Sequence, residues 1–235
     1  MKKWIALPMY CLVLSFLLLI TLCTNCAITA ITEGAPIKSR KTVIIDAGHG
    51  GVDGGATSCT GVLESQINLE IALRLDDLMH LLGIKTNMIR TTDMSIHTAG
   101  NTIGAKKVSD LKNRVQIVNK EENGYLISIH QNYFQESKYS GAQVFYGSLP
   151  ESKTLAGKLQ QELIQTVNKG SKRTIKPSNE IYLLDNIQKC GVLIECGFLS
   201  NPEEEALLRS PQYQKNLCCV IASVYSQYLH SYDIT

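Results

Sequence analysis

Hydrophobic positions along this chain switch repeatedly between two periods. Short β-branched or apolar runs, Thr42 to Asp46 (TVIID), Ile84 to Arg90, Tyr125 to His130 (YLISIH), Ala142 to Tyr146 and Val192 to Glu195, read as sheet strands. After Glu64 the segment SQINLEIALRLDDLMHLLG places Ile67, Ile71, Leu75, Leu78 and Leu82 at steps of three and four, an amphipathic stripe that Gly83 stops. Similar or weaker helical patterns cover Leu111 to Lys120, which Asp110 is placed to cap, and Lys153 to Asn168, Pro202 to Arg209 and Tyr213 to Tyr228. The order β-α-β-α-β-β-α-β-β-α-α predicts one α/β domain, with a mostly parallel or mixed central sheet of about six strands and helices on both faces.

The N-terminus follows neither period. Lys2 and Lys3 precede an apolar run from Trp4 to Cys23 without a charged residue, so residues 1–26 read as a signal peptide or membrane anchor. Positive charge on the short side predicts export of the remainder across the cytoplasmic membrane, either secreted or anchored. Neither Cys23 nor Cys26 has the small-residue context of a lipidation site. Residues 27–41, including TEGAPIKSRK, mix Gly, Pro, Ser and charge without periodicity and read as a tether, leaving 42–235 as the folded domain.

Composition narrows the picture. With 44% hydrophobic and 19% charged residues the chain must bury a core, which excludes a disordered protein. The net charge of +2, with no basic block interleaved with aromatics, argues against a nucleic-acid partner. Lys169 to Lys176 (KGSKRTIK) is locally basic and reads either as a solvated loop or as a surface for an anionic polymer. Eight cysteines in an exported chain often signal disulfides, yet Cys218 and Cys219 are adjacent on a helix and Cys190 and Cys196 bracket a strand, so most are expected to be buried thiols.

Candidate chemistry sits at the strand ends, where open α/β sheets build their sites. The first strand runs into AGHGG and presents His49 on a glycine turn; the third ends at His130; the last ends at Glu195; and Glu64 stands just before the long helix. Two imidazoles and a carboxylate suffice to hold a catalytic zinc with an open position, and Glu195 is then free to carry protons. Taken singly, a strand-end histidine is more often a hydrogen-bonded surface residue, and a Glu at a helix start commonly serves the helix dipole. Spacing alone leaves open another metal or none.

The segments VIIDAGHGGVDGG (43–55), Glu64, SIHQN (128–132) and LIECGFLSN (193–201) resemble the zinc-dependent N-acetylmuramoyl-L-alanine amidases of the amidase-3 type, over essentially all of Thr42 to Tyr228. The resemblance implies Zn2+ held by His49, Glu64 and His130, with Glu195 as the catalytic residue and peptidoglycan as the substrate. It also places Asn132 and Arg114 near the groove, where each would touch substrate or support the ligands; Arg114 reads equally well as a helix-surface charge. Two positions depart from the family. Ala47 stands where Pro is usual and is expected to loosen the turn, and Cys196 stands where Thr or Val is common, with strand alternation pointing it away from Glu195.

Within the family, the short chain, the single apolar segment, the IYLLDN stretch (181–186) and the lack of repeat-type wall-binding modules resemble the germination-specific sporulation amidases. That resemblance implies a role in the forespore intermembrane space. There the amidase would cooperate with a muramic acid deacetylase to form the muramic lactam of spore cortex. With neither a targeting domain nor an occluding insert in the sequence, control by an activator protein is expected. Two other readings use the same residues: a zinc peptidase or carboxypeptidase acting on cell-wall peptides, and a catalytically silent wall-binding regulator.

Overall fold

The computed structural model describes residues 41–231, so the signal or anchor expected at 1–26 and nearly all of the tether lie outside the described residues. Among the described residues, no helix is long and apolar enough to cross a membrane. The elements run β1 (Thr42–Ala47), α1 (Glu64–Leu81), β2 (Lys85–Met88), α2 (Ile103–Lys120), β3 (Gly124–Asn132), β4 (Gln143–Tyr146), α3 (Pro150–Thr166), β5 (Lys176–Pro177), α4 (Tyr182–Asn186), β6 (Cys190–Phe198), α5 (Pro202–Leu208) and α6 (Pro211–Ser231).

The strands form one mixed six-stranded sheet in the order β2-β1-β3-β6-β4-β5. Only β4 runs antiparallel to its neighbour β6; β1, β2, β3 and β6 are mutually parallel and end together. Alternation along each strand sorts side chains onto two unequal layers. Val43, Ile45, Ile127, Ile129, Val192, Ile194 and Cys196 face the larger layer, built by α1, α3 and α6. Ile44, Leu126 and Leu193 face the smaller one, where Val118 of α2 and Leu183 and Leu184 of α4 cover only part of the sheet. On this thinly covered face Asp46 at the end of β1 is buried, while His130 of β3 and Glu195 of β6 remain partly exposed.

The expected helices and strands are present with shifted ends. The largest shift is α2, which starts at Ile103 rather than Leu111, because the Thr102 hydroxyl accepts the Ala105 N–H at 3.2 Å. Asp110 therefore lies inside the helix and does not cap it. Its carboxylate instead accepts from Ile96 N (2.7 Å), Ser95 Oγ (2.9 Å) and Arg114 Nε (2.5 Å). Helix α4, over the IYLLDN stretch, lies between the last two strands, where the sequence pattern gave no element.

Among the described cysteines none is paired, and Cys190, Cys196 and Cys218 are buried while Cys59 and Cys219 are exposed. Cys196 is fully buried in the larger layer, on the face opposite Glu195, where desolvation pushes its thiol well above the ordinary range. Replacing Cys196 with Val keeps shape and removes only a weak donor. By urea unfolding, the variant is expected to lose less than about 1.5 kcal/mol. Its bound metal, measured by elemental analysis, should match that of the parent, and loss of metal would show that the thiol takes part in the site.

Candidate metal centre

The turn after β1 has an unusual backbone, one of two places among the described residues where a non-glycine residue takes a positive φ. His49 sits at φ 61°, between Gly48 and Gly50, a left-handed conformation that costs a residue with a Cβ about 1–2 kcal/mol. The strain turns the imidazole back over the sheet. A Cβ on Gly48 would lie 2.1 Å from His130 Nε2, so only glycine lets the turn pass that ring, and a Cβ on Gly55 would lie 2.6 Å from Glu64 Oε2. The two histidine rings meet edge to face at 4.9 Å.

Glu64 is the first residue of α1, yet its side chain does not merely complement the helix dipole. It is 4% exposed and lies between the two imidazoles, with His49 Nε2 at 3.3 Å from Oε2 and His130 Nδ1 at 3.0 Å from Oε1. It also accepts the N–H groups of Ala56 (3.0 Å) and Gln131 (3.1 Å) and the Asn68 amide (3.2 Å), which fix its carboxylate plane. One donor atom from each of His49, Glu64 and His130 lies within 4.8 Å of the others. Such a cluster can hold a metal ion.

Electrostatics agree with the donor set. Burial alone would depress the His49 pKa, but its hydrogen bonds to Asp53 and Glu64 and their charges outweigh this and push it up to about 9. Burial would likewise raise the Glu64 carboxyl, and the two histidines hold it far below the ordinary range instead. The hydrogen bond from His49 holds Asp53 well below it too, against partial burial. The pocket thus favours a positive charge at the place where the three donors converge. The outer nitrogen of His49 is fixed by Asp53, with Nδ1 to Oδ2 at 2.9 Å, and Lys107 Nζ lies 3.1 Å from the same oxygen. This leaves His49 Nε2 for a metal.

Glu195 enters from the neighbouring strand. The β3–β6 register makes His130 and Glu195 direct partners, so both side chains project from the same face at the same level. Glu195 Oε2 is buried with no hydrogen-bond partner among the described residues. Burial pushes its carboxyl up to about 7; the nearby charge of His130 opposes the shift and that of Glu64 adds to it. A carboxyl that changes charge near neutral pH, beside a metal-binding cluster, is suited to moving protons.

Arg114 is not a surface charge. It is 2% exposed, forms ion pairs with Asp46 and Asp110, and donates to Ala47 O (3.0 Å) and His49 O (2.7 Å). Arg90, also buried, donates to the same Ala47 carbonyl (2.8 Å), to Gly48 O (3.0 Å) and to Ser65 O (2.8 Å). The turn after Ala47 is therefore braced by two guanidinium groups in the absence of a proline. Asn132 lies past a register shift in β3, its carbonyl accepting Leu199 N–H at 2.8 Å, and its side chain makes no hydrogen bond among the described residues. Beside the donors, a cavity of about 180 Å³ opens between α2 and α4, lined by His49, His130, Lys107, Arg114, Glu180 and Tyr182.

Sequence reasoning singles out His49, Glu64 and His130, which the fold brings together, and Glu195 beside them, but gives no role to Asp46, Asp53, Asn68, Arg90 or Lys107. Asp53 had a visible signal, a carboxylate four residues after a candidate ligand in VIIDAGHGGVDGG.

Residues 43–224 match the family of N-acetylmuramoyl-L-alanine amidases. The chain is 39% identical, over 80% of its length and 78% of the relative's, to the germination-specific N-acetylmuramoyl-L-alanine amidase of Bacillus subtilis (strain 168). Its fold is similar to that of the CwlD amidase from Clostridioides difficile, solved in complex with the GerS lipoprotein, with TM-score 0.78 and 40% identity over 82% of this chain and 100% of that one. A second amidase, from Clostridium difficile 630, matches with TM-score 0.72 and 30% identity over 83% and 99% of the two chains.

Replacing Arg114 with Gln leaves two buried carboxylates without their cation. Denaturant unfolding is expected to show a loss of about 3–5 kcal/mol at neutral pH. Burial would raise Asp46, but Arg114, His130 and Ser128 hold its folded pKa below the ordinary value. Its contribution is thus present above the unfolded carboxyl pKa and disappears as pH falls through the lower folded value, so the penalty should shrink in acid. A loss below about 1 kcal/mol at pH 7 would place Arg114 outside the structural core of the site.

Proposed function

Because the chain belongs to the N-acetylmuramoyl-L-alanine amidase family, we propose that it uses Zn2+ held by His49, Glu64 and His130 to hydrolyse the amide between N-acetylmuramic acid and L-alanine in peptidoglycan. The observation that carries this reading is the convergence of three donors within 4.8 Å beside an unpartnered, buried Glu195 oxygen. Zinc bound there supplies Lewis acidity at the amide carbonyl and acidifies water.

The remaining work falls to the chain's own residues. Glu195, ionised, takes the proton of the attacking water and returns it to the departing L-alanine nitrogen, which leaves as an amine. Asp53 fixes the tautomer and orientation of His49, and the Lys107 ammonium neutralises Asp53. Arg114 and Arg90 position the turn from below. Asn132, at the rim of β3, is assigned to contact with substrate.

The similarity to a germination-specific amidase supports a finer reading: action outside the cytoplasmic membrane, in the forespore intermembrane space, on glycan whose muramic acid a separate deacetylase then converts toward lactam. The solved complex of a similar amidase with a lipoprotein supports control by an activator protein.

The test combines one substitution with product analysis. Glu195→Gln should bind zinc as the parent does and lose kcat by roughly 10²–10⁴-fold. Mass spectrometry of digested muropeptides should show free stem peptide with an L-alanine amino terminus. Release of D-alanine would identify a peptidase, and a Glu195→Gln variant of near-parental kcat would remove the assigned acid/base.

A further inference from the structure

A second cavity, apart from the metal pocket, has a strongly basic lining. It is an open groove of about 670 Å³ formed by the β3–β4 loop, the segment after α3 and Glu204 of α5. Its cations are Lys138, Lys169, Lys172 and Arg173. Lys138 pairs with Glu136. Lys169 and Lys172 are exposed, with no ionic partner among the described residues. Glu204, the one carboxylate in the lining, is already committed, Oε1 accepting Gly141 N–H (2.7 Å) and Oε2 accepting Phe198 N–H (2.8 Å). With four cations in the lining against Glu204, and Glu136 beside Lys138, the groove carries net positive charge.

Arg173 is held rather than waving in solvent. Its Nε donates to Ser140 O (2.7 Å), Nη1 donates to Gln143 Oε1 (3.0 Å), and the guanidinium lies over the Phe198 ring at 4.5 Å. Tyr139 stacks with the same Phe198 ring, with centroids 6.2 Å apart, and Phe134 meets Tyr139 edge-on at 4.9 Å. A cation fixed in this way loses little conformational freedom when it takes up an anion.

The sheet relates this groove to the metal centre. Gln143 of β4 is the direct partner of Glu195 on β6, and Glu195 is the direct partner of His130 on β3. Adjacent strands are about 4.8 Å apart, so Gln143 stands roughly 10 Å from the His130 strand, with Arg173 anchored on its far side. An extended peptide advances about 3.3–3.6 Å per residue. A stem peptide whose first amide lies at the donors thus brings the backbone of its third residue about 7 Å along, and a long acidic side chain on that residue spans the remaining distance towards Arg173.

We propose that this groove is a carboxylate-binding subsite for the acidic stem peptide of the wall substrate, with Arg173 as its fixed anchor and Lys169 and Lys172 as its outer charges. The assignment rests on the amidase reading. It makes the enzyme selective for stem peptides with free carboxylates over those whose carboxylates are amidated.

The test uses the full chain loaded with zinc and two synthetic stem tripeptides, one with free carboxylates and one amidated. Lys169→Gln/Lys172→Gln changes only exposed side chains. Calorimetric titration should show the parent binding the free acid roughly tenfold more tightly than the amide, with the advantage shrinking at high salt. In the double variant, which keeps the Arg173 anchor, the preference should fall by more than half, while zinc content and hydrolysis of an amidated muramyl peptide stay at parental values. Equal affinity of the parent for both tripeptides, or a preference undiminished in the variant, overturns the subsite. Tighter binding of a glycerol-phosphate oligomer than of the acid tripeptide, lost in the same variant, overturns it in favour of a phosphate polymer. Hydrolysis of the muramyl peptides is scored separately. If neither is cleaved while the tripeptide preference holds, the amidase reading fails and the carboxylate site stands.

Discussion

Arg114 carries a permanent charge into a position that is 2% exposed, and the functional end of the sheet is organised around it. Its partners come from two separate parts of the chain: Asp110 one turn earlier on α2, and the end of β1 with its following turn, where Asp46 and the carbonyls of Ala47 and His49 lie. Asp46 in turn accepts the Ser128 hydroxyl of β3 at 2.5 Å. One guanidinium thus ties the covering helix, two strands and the strained turn together. A buried ion pair of this kind contributes little net stability relative to an apolar replacement, but losing either partner is costly, so it fixes a geometry. Here the geometry fixed is the direction of His49.

The metal cluster depends on that turn being held in place. His49 at φ 61° stores strain that an unbraced loop would relax, and the close passage of Gly48 over His130 leaves no room for slack. Glu64 completes the arrangement from α1, whose apolar stripe is buried in the larger core while its first residue reaches the opposite end of the sheet. The unequal cover of the two faces then allows access. The smaller layer is thin, and between α2 and α4 a cavity reaches His49 and His130 beside the Glu195 strand.

Much of this was legible in the residues. Strand-end polarity pointed to His49, His130 and Glu195, and alternation placed Cys196 on the opposite face, because a period of two is preserved in any strand that is half covered. Glu64 was visible as a residue, while its entry between two imidazoles follows from the fold of the 50–63 loop, on which periodicity says nothing. The first half of α2 was hidden, since IGAKKVSD has no apolar stripe, and Asp110 was therefore misplaced as a cap. Asp46 beside Arg114 was equally hidden: a charge at the end of a β-branched run requires a partner, but nothing local tells which cation 68 residues away supplies it. The basic KGSKR segment was plain as charge, yet its relation to Glu195 exists only through the antiparallel β4 register.

The central claim is that His49, Glu64 and His130 are the first neighbours of a zinc ion and that no thiol is among them. X-ray absorption at the zinc edge of the purified chain measures that shell directly. The expected result is a shell of nitrogen and oxygen neighbours at about 2.0–2.2 Å, including two imidazoles. A sulfur neighbour at about 2.3 Å, or a single imidazole, would contradict it.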